Sequence, residues 1–133
     1  MTSTAIVAVE FDAGHDVLNP HDHHYRVEVN AVGPTRSGGP TDGMVVDFRL
    51  ITRVLTEHVK RPLEGRMIIG PDELSNHDLP DEKRYDFPTR PTAELMAQWA
   101  YEQLVGNLST NDAQLIERVT VWETPYAAGS YQP

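Results

Sequence analysis

The sequence predicts an α+β domain in which an antiparallel sheet carries two helices on one face. Three observations lead there. Residues Thr4 to Asp12, Tyr25 to Val32 and Leu115 to Thr124 alternate apolar and polar positions with the period of a half-buried strand. Two stretches, opening at Asp47 and at Thr92, repeat apolar residues at helical spacing behind a residue that caps helices well. The order of strand, strand, helix, helix, strand then segregates helices from strands, as in an antiparallel sheet covered on a single side. At 133 residues the chain is long enough for one domain, residues 1–133, with its own core.

In the first strand Ala5, Val7, Val9 and Phe11 mark the core side. The second ends at Gly33-Pro34, and the PTRSGGPTDG of residues 34–43 is turn chemistry throughout. Asp47 then caps a helix built on Phe48, Ile51, Val54, Leu55 and Val59, which Pro62 is expected to stop. Gly65 to Pro91 shows no sustained periodicity and reads as a lid or binding loop, its charge run from Asp78 to Arg84 solvated. Thr92 opens a second helix with Glu94 in its first turn; Leu95, Met96, Trp99, Gln103 and Leu104 form one side, and Gly106 ends it. After a polar turn, Leu115, Val119 and Val121 share a strand face with Glu123, a carboxylate at the end of an apolar side. A short strand near Ser130-Tyr131 closes the chain. Sequential pairing leaves the first and last strands with open edges, which favours edge-to-edge oligomerisation.

The net charge of -9 argues against nucleic acid and against an anionic membrane, since both need a basic face. The absence of cysteine excludes a thiolate nucleophile and every thiolate metal ligand. The N-terminus enters its alternating pattern with no basic-then-apolar leader, and no apolar run approaches about 18 residues. A soluble, cytoplasmic protein is expected.

The chemistry concentrates in FDAGHDVLNPHDHHY, residues 11–25, where four of the six histidines fall within ten positions. On an extended chain His21, His23, Tyr25, Val27 and Val29 share one face. His15 closes the preceding segment and folds back across the link Asp16 to Pro20 to supply a third nitrogen. Three neutral imidazoles with an open fourth position are what a catalytic Zn²⁺ needs, because the vacancy holds water or substrate.

The runs FDAGH, HDHHYRVEV, DGMVVDF, RPLEGRMI, RPTAELMAQW and VTVWET resemble, in order and spacing, the 6-pyruvoyltetrahydropterin synthase family, which includes the 6-carboxytetrahydropterin synthases. The resemblance covers nearly the whole chain. It implies the tunnelling fold (T-fold), a homohexamer built from two trimeric barrels with active sites between subunits, a pterin-like small-molecule substrate, and Zn²⁺ held by His15, His21 and His23. It also places Glu123 on the glutamate that grips the guanidine-like edge of the pterin, with Thr124 beside it in the substrate site. A carboxylate there accepts two parallel N–H bonds.

Two positions depart from the family. Its catalytic cysteine falls where this chain has only Asp16, Val17, Leu18, Asn19 and Pro20, and its Asp-His pair aligns with Glu64-Gly65. A general base contributes about 10²- to 10⁴-fold, so its loss should alter the reaction. Three replacements are open: Asp16 beside the ligand His15, Glu64 in place of the aspartate, and His77 from the long loop. The expected activity is a zinc-dependent lyase or cyclase using a carboxylate as base. The competing reading is an altered or inactive relative that binds or converts a non-pterin molecule.

Overall fold

The structure, a computed structural model, describes residues 1–73 and 79–133, so the candidate base His77 lies outside the described residues. Strands β1 (Ser3–His15) and β2 (His21–Gly33) pair antiparallel along their whole length, from Ser3 opposite Gly33 to His15 opposite His21. Both outrun the alternating segments that mark them in sequence. Histidines and aspartates crowd both faces near the hairpin end, which hides the period, but the backbone ladder continues regardless of side-chain polarity. The five-residue link returns the chain with Leu18 at a φ of 73° and its side chain in solvent, a left-handed conformation unusual for a residue with a Cβ.

The six-stranded sheet has the order β4-β3-β1-β2-β5-β6. Strands β3 (Met67–Ile69) and β4 (Arg84–Asp86) come from the stretch expected to be irregular. Three residues are too few to show a period. They pair parallel, β3 with the end of β1 and β4 with β3, so the sheet is mixed, with an antiparallel body and a short parallel flank. Because β3 reaches only Gly14 and His15, most of the outer edge of β1 stays open among the described residues, as does that of β6.

Helix α1 (Phe48–Leu55) begins where Asp47 accepts from the Arg49 N–H at 2.9 Å. It does not stop at Pro62. A π-helical turn, Thr56–Lys60, leads into α2 (Arg61–Leu63), with the Arg61 N–H donating to the Thr56 carbonyl five residues back. That wider turn makes room for a ring that lacks an N–H and would otherwise crowd the carbonyl one turn earlier. Helix α3 (Ala93–Val105) is capped by Thr92, and its core face is Ala93, Met96, Ala97, Trp99, Ala100 and Leu104. Leu95 is exposed and Gln103 half-buried, because three alanines let the helix lie close to the sheet and rotate the contact face toward them. A short helix, α4 (Thr110–Ala113), occupies the expected polar turn.

Strand β5 (Ile116–Thr124) and β6 (Ala127–Tyr131) complete the sheet. A register shift at Asn30/Ala31 puts Ile116 opposite Ala31 and into the core, where alternation pointed to Leu115. Helix α1 packs on β1 and α3 on β5 and β6, over the inward residues Val7, Val9, Phe11, Tyr25, Val27, Val29, Val119 and Val121. Among the described residues no helix is long and apolar enough to cross a membrane.

Candidate functional site

The hairpin register dictates the site. Because His15 opposes His21 and Ala13 opposes His23, the three imidazoles project from neighbouring positions on the helix-covered side of the sheet. Their ring centroids are 4.4, 4.9 and 4.6 Å apart, and one nitrogen from each lies within 4.8 Å of the others. His24 faces the other way, between Asp12 at 2.7 Å and Glu10 at 3.1 Å, hydrogen bonds that hold its pKa above the ordinary value.

Two backbone carbonyls fix the tautomers. His15 Nδ1 lies 3.1 Å from the Pro91 carbonyl, and His21 Nδ1 lies 2.6 Å from the Asn19 carbonyl. A carbonyl only accepts, so each Nδ1 carries the hydrogen and each Nε2 presents a lone pair. These two Nε2 atoms face each other at 2.9 Å. Two lone pairs aimed at one another repel unless a cation stands between them. A shared proton would satisfy His15 and His21 alone, but the buried Nε2 of His23 also has no hydrogen-bond partner among the described residues. A metal ion satisfies all three, and an outer hydrogen bond to the distal nitrogen is how metal-binding imidazoles are oriented. Nitrogens about 2.0–2.1 Å from a tetrahedral ion stand roughly 3.4 Å apart, so small side-chain adjustments suffice. Burial lowers the His23 pKa, with His15 and His21 adding to the effect and Glu123 opposing it, and the neutral form is the one that ligates.

The Pro91 carbonyl is held by close packing. A Cβ at Gly129 would fall 2.5 Å from Glu94 N, and one at Gly70 would fall 3.0 Å from the Thr89 carbonyl. Only glycine lets β6 and the end of β3 approach residues 89–94 this closely. The start of α3 is thereby pinned over His15.

Glu123 sits where the β5–β6 register shifts, between Trp122 and Thr124. Such bulges re-aim side chains. Here the carboxylate comes to 3.7 Å from His23 Nε2 and lines a hollow of about 530 Å³ with His15, His21, Thr92 and Glu94. It also borders a hollow of about 660 Å³ shared with His24, Arg26, Trp122 and Thr124. Thr124 Oγ1 accepts from the Tyr126 N–H at 3.1 Å, so this side chain also forms the turn into β6.

The other two candidate carboxylates lie elsewhere. Asp16 borders a hollow of about 210 Å³ with Gly70, Pro71, Asp72, Glu73 and Arg90. Glu64 is exposed and pairs with Lys60 at 3.8 Å. Neither joins the cluster of ligand atoms. Tyr25, by contrast, stands under the cluster as a site residue that the sequence marks only by its shared face with His21 and His23. It is fully buried, its hydroxyl has no partner among the described residues, and burial together with the Glu123 and Asp22 carboxylates raises its pKa strongly. A sealed polar group without a partner costs about 1–3 kcal/mol.

The mixed sheet covered by helices on one side, whose long hairpin ends in three converging histidines, matches tunnelling-fold structures. Within that class the chain belongs to the 6-pyruvoyl tetrahydropterin synthase family, whose model matches residues 5–133. The 6-carboxy-5,6,7,8-tetrahydropterin synthase of Haemophilus influenzae is 27% identical over 128 residues, covering 90% of this chain and 87% of the relative. The enzyme of the same name from Rickettsia felis is 26% identical over 130 residues, covering 88% and 91%. Among solved structures, a 6-pyruvoyltetrahydropterin synthase of Plasmodium vivax superposes with a TM-score of 0.81 at 17% identity, over 100% of this chain and 98% of that one. It is a variant in which a glutamate named as a catalytic residue is replaced by alanine. The Caenorhabditis elegans 6-pyruvoyl tetrahydropterin synthase superposes with a TM-score of 0.73 at 21% identity, over 100% and 96%.

Proposed function

We propose that this chain, as a single domain of the family spanning residues 1–133, is a zinc-dependent lyase- or cyclase-type enzyme acting on a pterin or a related heterocycle, with a carboxylate in place of the cysteine base. The observation that carries the reading is the convergence of the three imidazole nitrogens, two of them locked by carbonyls into the ligating tautomer. Bound Zn²⁺ would supply Lewis-acid polarisation of a substrate oxygen. His15, His21 and His23 would hold the ion, and Glu123, with Thr124 nearby, would accept N–H groups of the heterocycle.

Asp16, Glu64 and His77 are the candidates for the base, and a homohexamer with its sites between subunits would let a neighbouring subunit bring one of them to the histidines. That a glutamate is named catalytic in the Plasmodium vivax protein supports a carboxylate in this role. That neither Asp16 nor Glu64 joins the cluster of ligand atoms favours a second reading, an altered enzyme or binding protein for a non-pterin molecule.

Titration calorimetry with 7,8-dihydroneopterin and sepiapterin separates the two. Wild type should bind at least one of them. Glu123→Gln should bind it about 5- to 150-fold more weakly, the equivalent of about 1–3 kcal/mol for a donor turned toward a donor. Failure of the wild type to bind either compound rejects the pterin reading, and equal binding by both proteins rejects the role of Glu123.

A further inference from the structure

Among the described residues, His23 Nε2 and the Tyr25 hydroxyl are both sealed without a hydrogen-bond partner. The metal reading accounts for the first and leaves the second. Tyr25 is held firmly: its ring stacks on Phe11 at 5.6 Å and stands edge-on to His23 at 5.6 Å and to His15 at 6.2 Å. Beyond it the inward positions of β2 are Val27, Val29 and Ala31, so Phe would serve this packing equally well without an unpaired hydroxyl.

Glu123 is the acceptor at hand. Arg26 pairs with Trp122, which makes Tyr25 and Glu123 the next positions along the two strands. The carboxylate stands 3.7 Å from His23 Nε2. Once that nitrogen gives its lone pair to an ion it carries no hydrogen, and the Glu123 carboxylate can accept from another donor. A phenol at the adjoining strand position has an O–H to give at ordinary pH.

We infer that Tyr25 is a positioning residue of the metal site, its hydroxyl donating to the Glu123 carboxylate when an ion occupies the three histidines. This rests on the zinc reading above and deepens it. The hydrogen bond would fix the carboxylate that faces the substrate, and it couples ion binding to that orientation. Tyr25 has no contact with the reacting atoms in this account.

The test compares wild type, Tyr25→Phe, Glu123→Gln and the double variant by zinc affinity in chelator-buffered titrations, together with melting temperatures with and without zinc. Tyr25→Phe should be at least as stable as wild type without zinc, because an unpaired hydroxyl is removed, and should bind zinc about 10- to 100-fold more weakly, the worth of a hydrogen bond to a charged group that forms only in the zinc-bound state. The losses from Tyr25→Phe and Glu123→Gln should be non-additive, as for two halves of one hydrogen bond. Unchanged zinc affinity in Tyr25→Phe, or additive losses, overturns the inference, whereas a wild type without stoichiometric zinc overturns the metal reading itself. A measurement that keeps Tyr25 covers the case in which Tyr25→Phe fails to fold. Zinc should red-shift tyrosine absorption in wild type but not in Glu123→Gln; the same shift in both, or a shift in neither, rules the pairing out.

Discussion

His23→Ala separates a metal centre from a cluster of packed histidines, and His24→Ala is its control. The two residues are adjacent on β2 and face opposite sides of the sheet. His23 offers the cluster a nitrogen without a hydrogen-bond partner among the described residues, while His24 is tied to Asp12 and Glu10 on the far face. An ion that binds only the folded protein stabilises it by about 4.1 kcal/mol at a free concentration one thousand times its Kd. For a chain of 133 residues the unfolding entropy is about 0.28 kcal/mol per kelvin, so that stabilisation raises the melting temperature by about 15 °C. Wild type and His24→Ala should both show a rise of that order, with about one zinc per chain. His23→Ala should show almost none, since two imidazoles remain where a catalytic site uses three protein ligands. Scanning fluorimetry across zinc concentrations set by a chelator buffer reads the shift, and equilibrium dialysis reads the stoichiometry. A full zinc-dependent rise in His23→Ala would show that the three nitrogens do not bind as a set, and loss in both variants would show that the strand faces have been misassigned.

Other outcomes follow from the same packing. Sedimentation velocity should report a hexamer at micromolar concentration, and a stable monomer would remove the intersubunit site. Gly129→Ala should destabilise the protein by about 1–3 kcal/mol, the range for overpacking, since the added Cβ meets backbone at Glu94; it should also weaken zinc binding by shifting the carbonyl that orients His15. Asp47 has its pKa lowered by hydrogen bonds from the Arg49 side chain and backbone. A depressed folded value stabilises the folded state above the unfolded carboxylate pKa and loses that contribution as pH falls through the folded one. The difference in stability between wild type and Asp47→Ala should therefore shrink on acidification below about pH 4, and a difference that grows toward low pH would contradict the cap.

The parts of the fold legible in the sequence were those with enough residues to show a period. Alternation along β1 and β2 identified Val7, Val9, Phe11, Val27 and Val29 as core, and the faces it assigned to His21 and His23 brought them beside His15. Asp47 and Thr92 cap their helices as their side-chain chemistry indicates. What the pattern could not carry was anything that depends on distant backbone. Strands β3 and β4 hold three residues each and exist because β1 offers them an edge. The π-helical turn before Pro62 is a tertiary accommodation of a ring, and the contact face of α3 was set by Ala93, Ala97 and Ala100, which a search for large apolar residues undervalues. The oxygens that lock His15 and His21 are main-chain carbonyls, invisible to a reading of side-chain types.

A carboxylate acting in place of the family's thiol would limit the chemistry. A free carboxylate has a pKa near 4 and a free thiol one near 8.5, so the carboxylate is the weaker base by roughly four units. Drawing a proton from carbon, as a cysteine does in the resembled mechanism, then becomes harder by several kcal/mol at about 1.4 kcal/mol per unit. Taking a proton from a hydroxyl demands less, particularly when its departure is coupled to breaking the neighbouring carbon–carbon bond and the bond electrons pass into the C=N of a dihydropterin ring. The side-chain carbon left on the ring then takes a proton from the same carboxylic acid as the C=N is restored, and the severed fragment leaves as an aldehyde. A dihydropterin with a polyhydroxylated side chain should thus be cut to a shorter alcohol plus a small aldehyde, with no loss of phosphate required. Chromatographic analysis of products from 7,8-dihydroneopterin, followed by parallel assays of Asp16→Asn and Glu64→Gln, would identify both the reaction and its base. Cyclisation or elimination products without any aldehyde would contradict this reasoning, since they would need proton abstraction from carbon, the step for which a carboxylate is the weaker base.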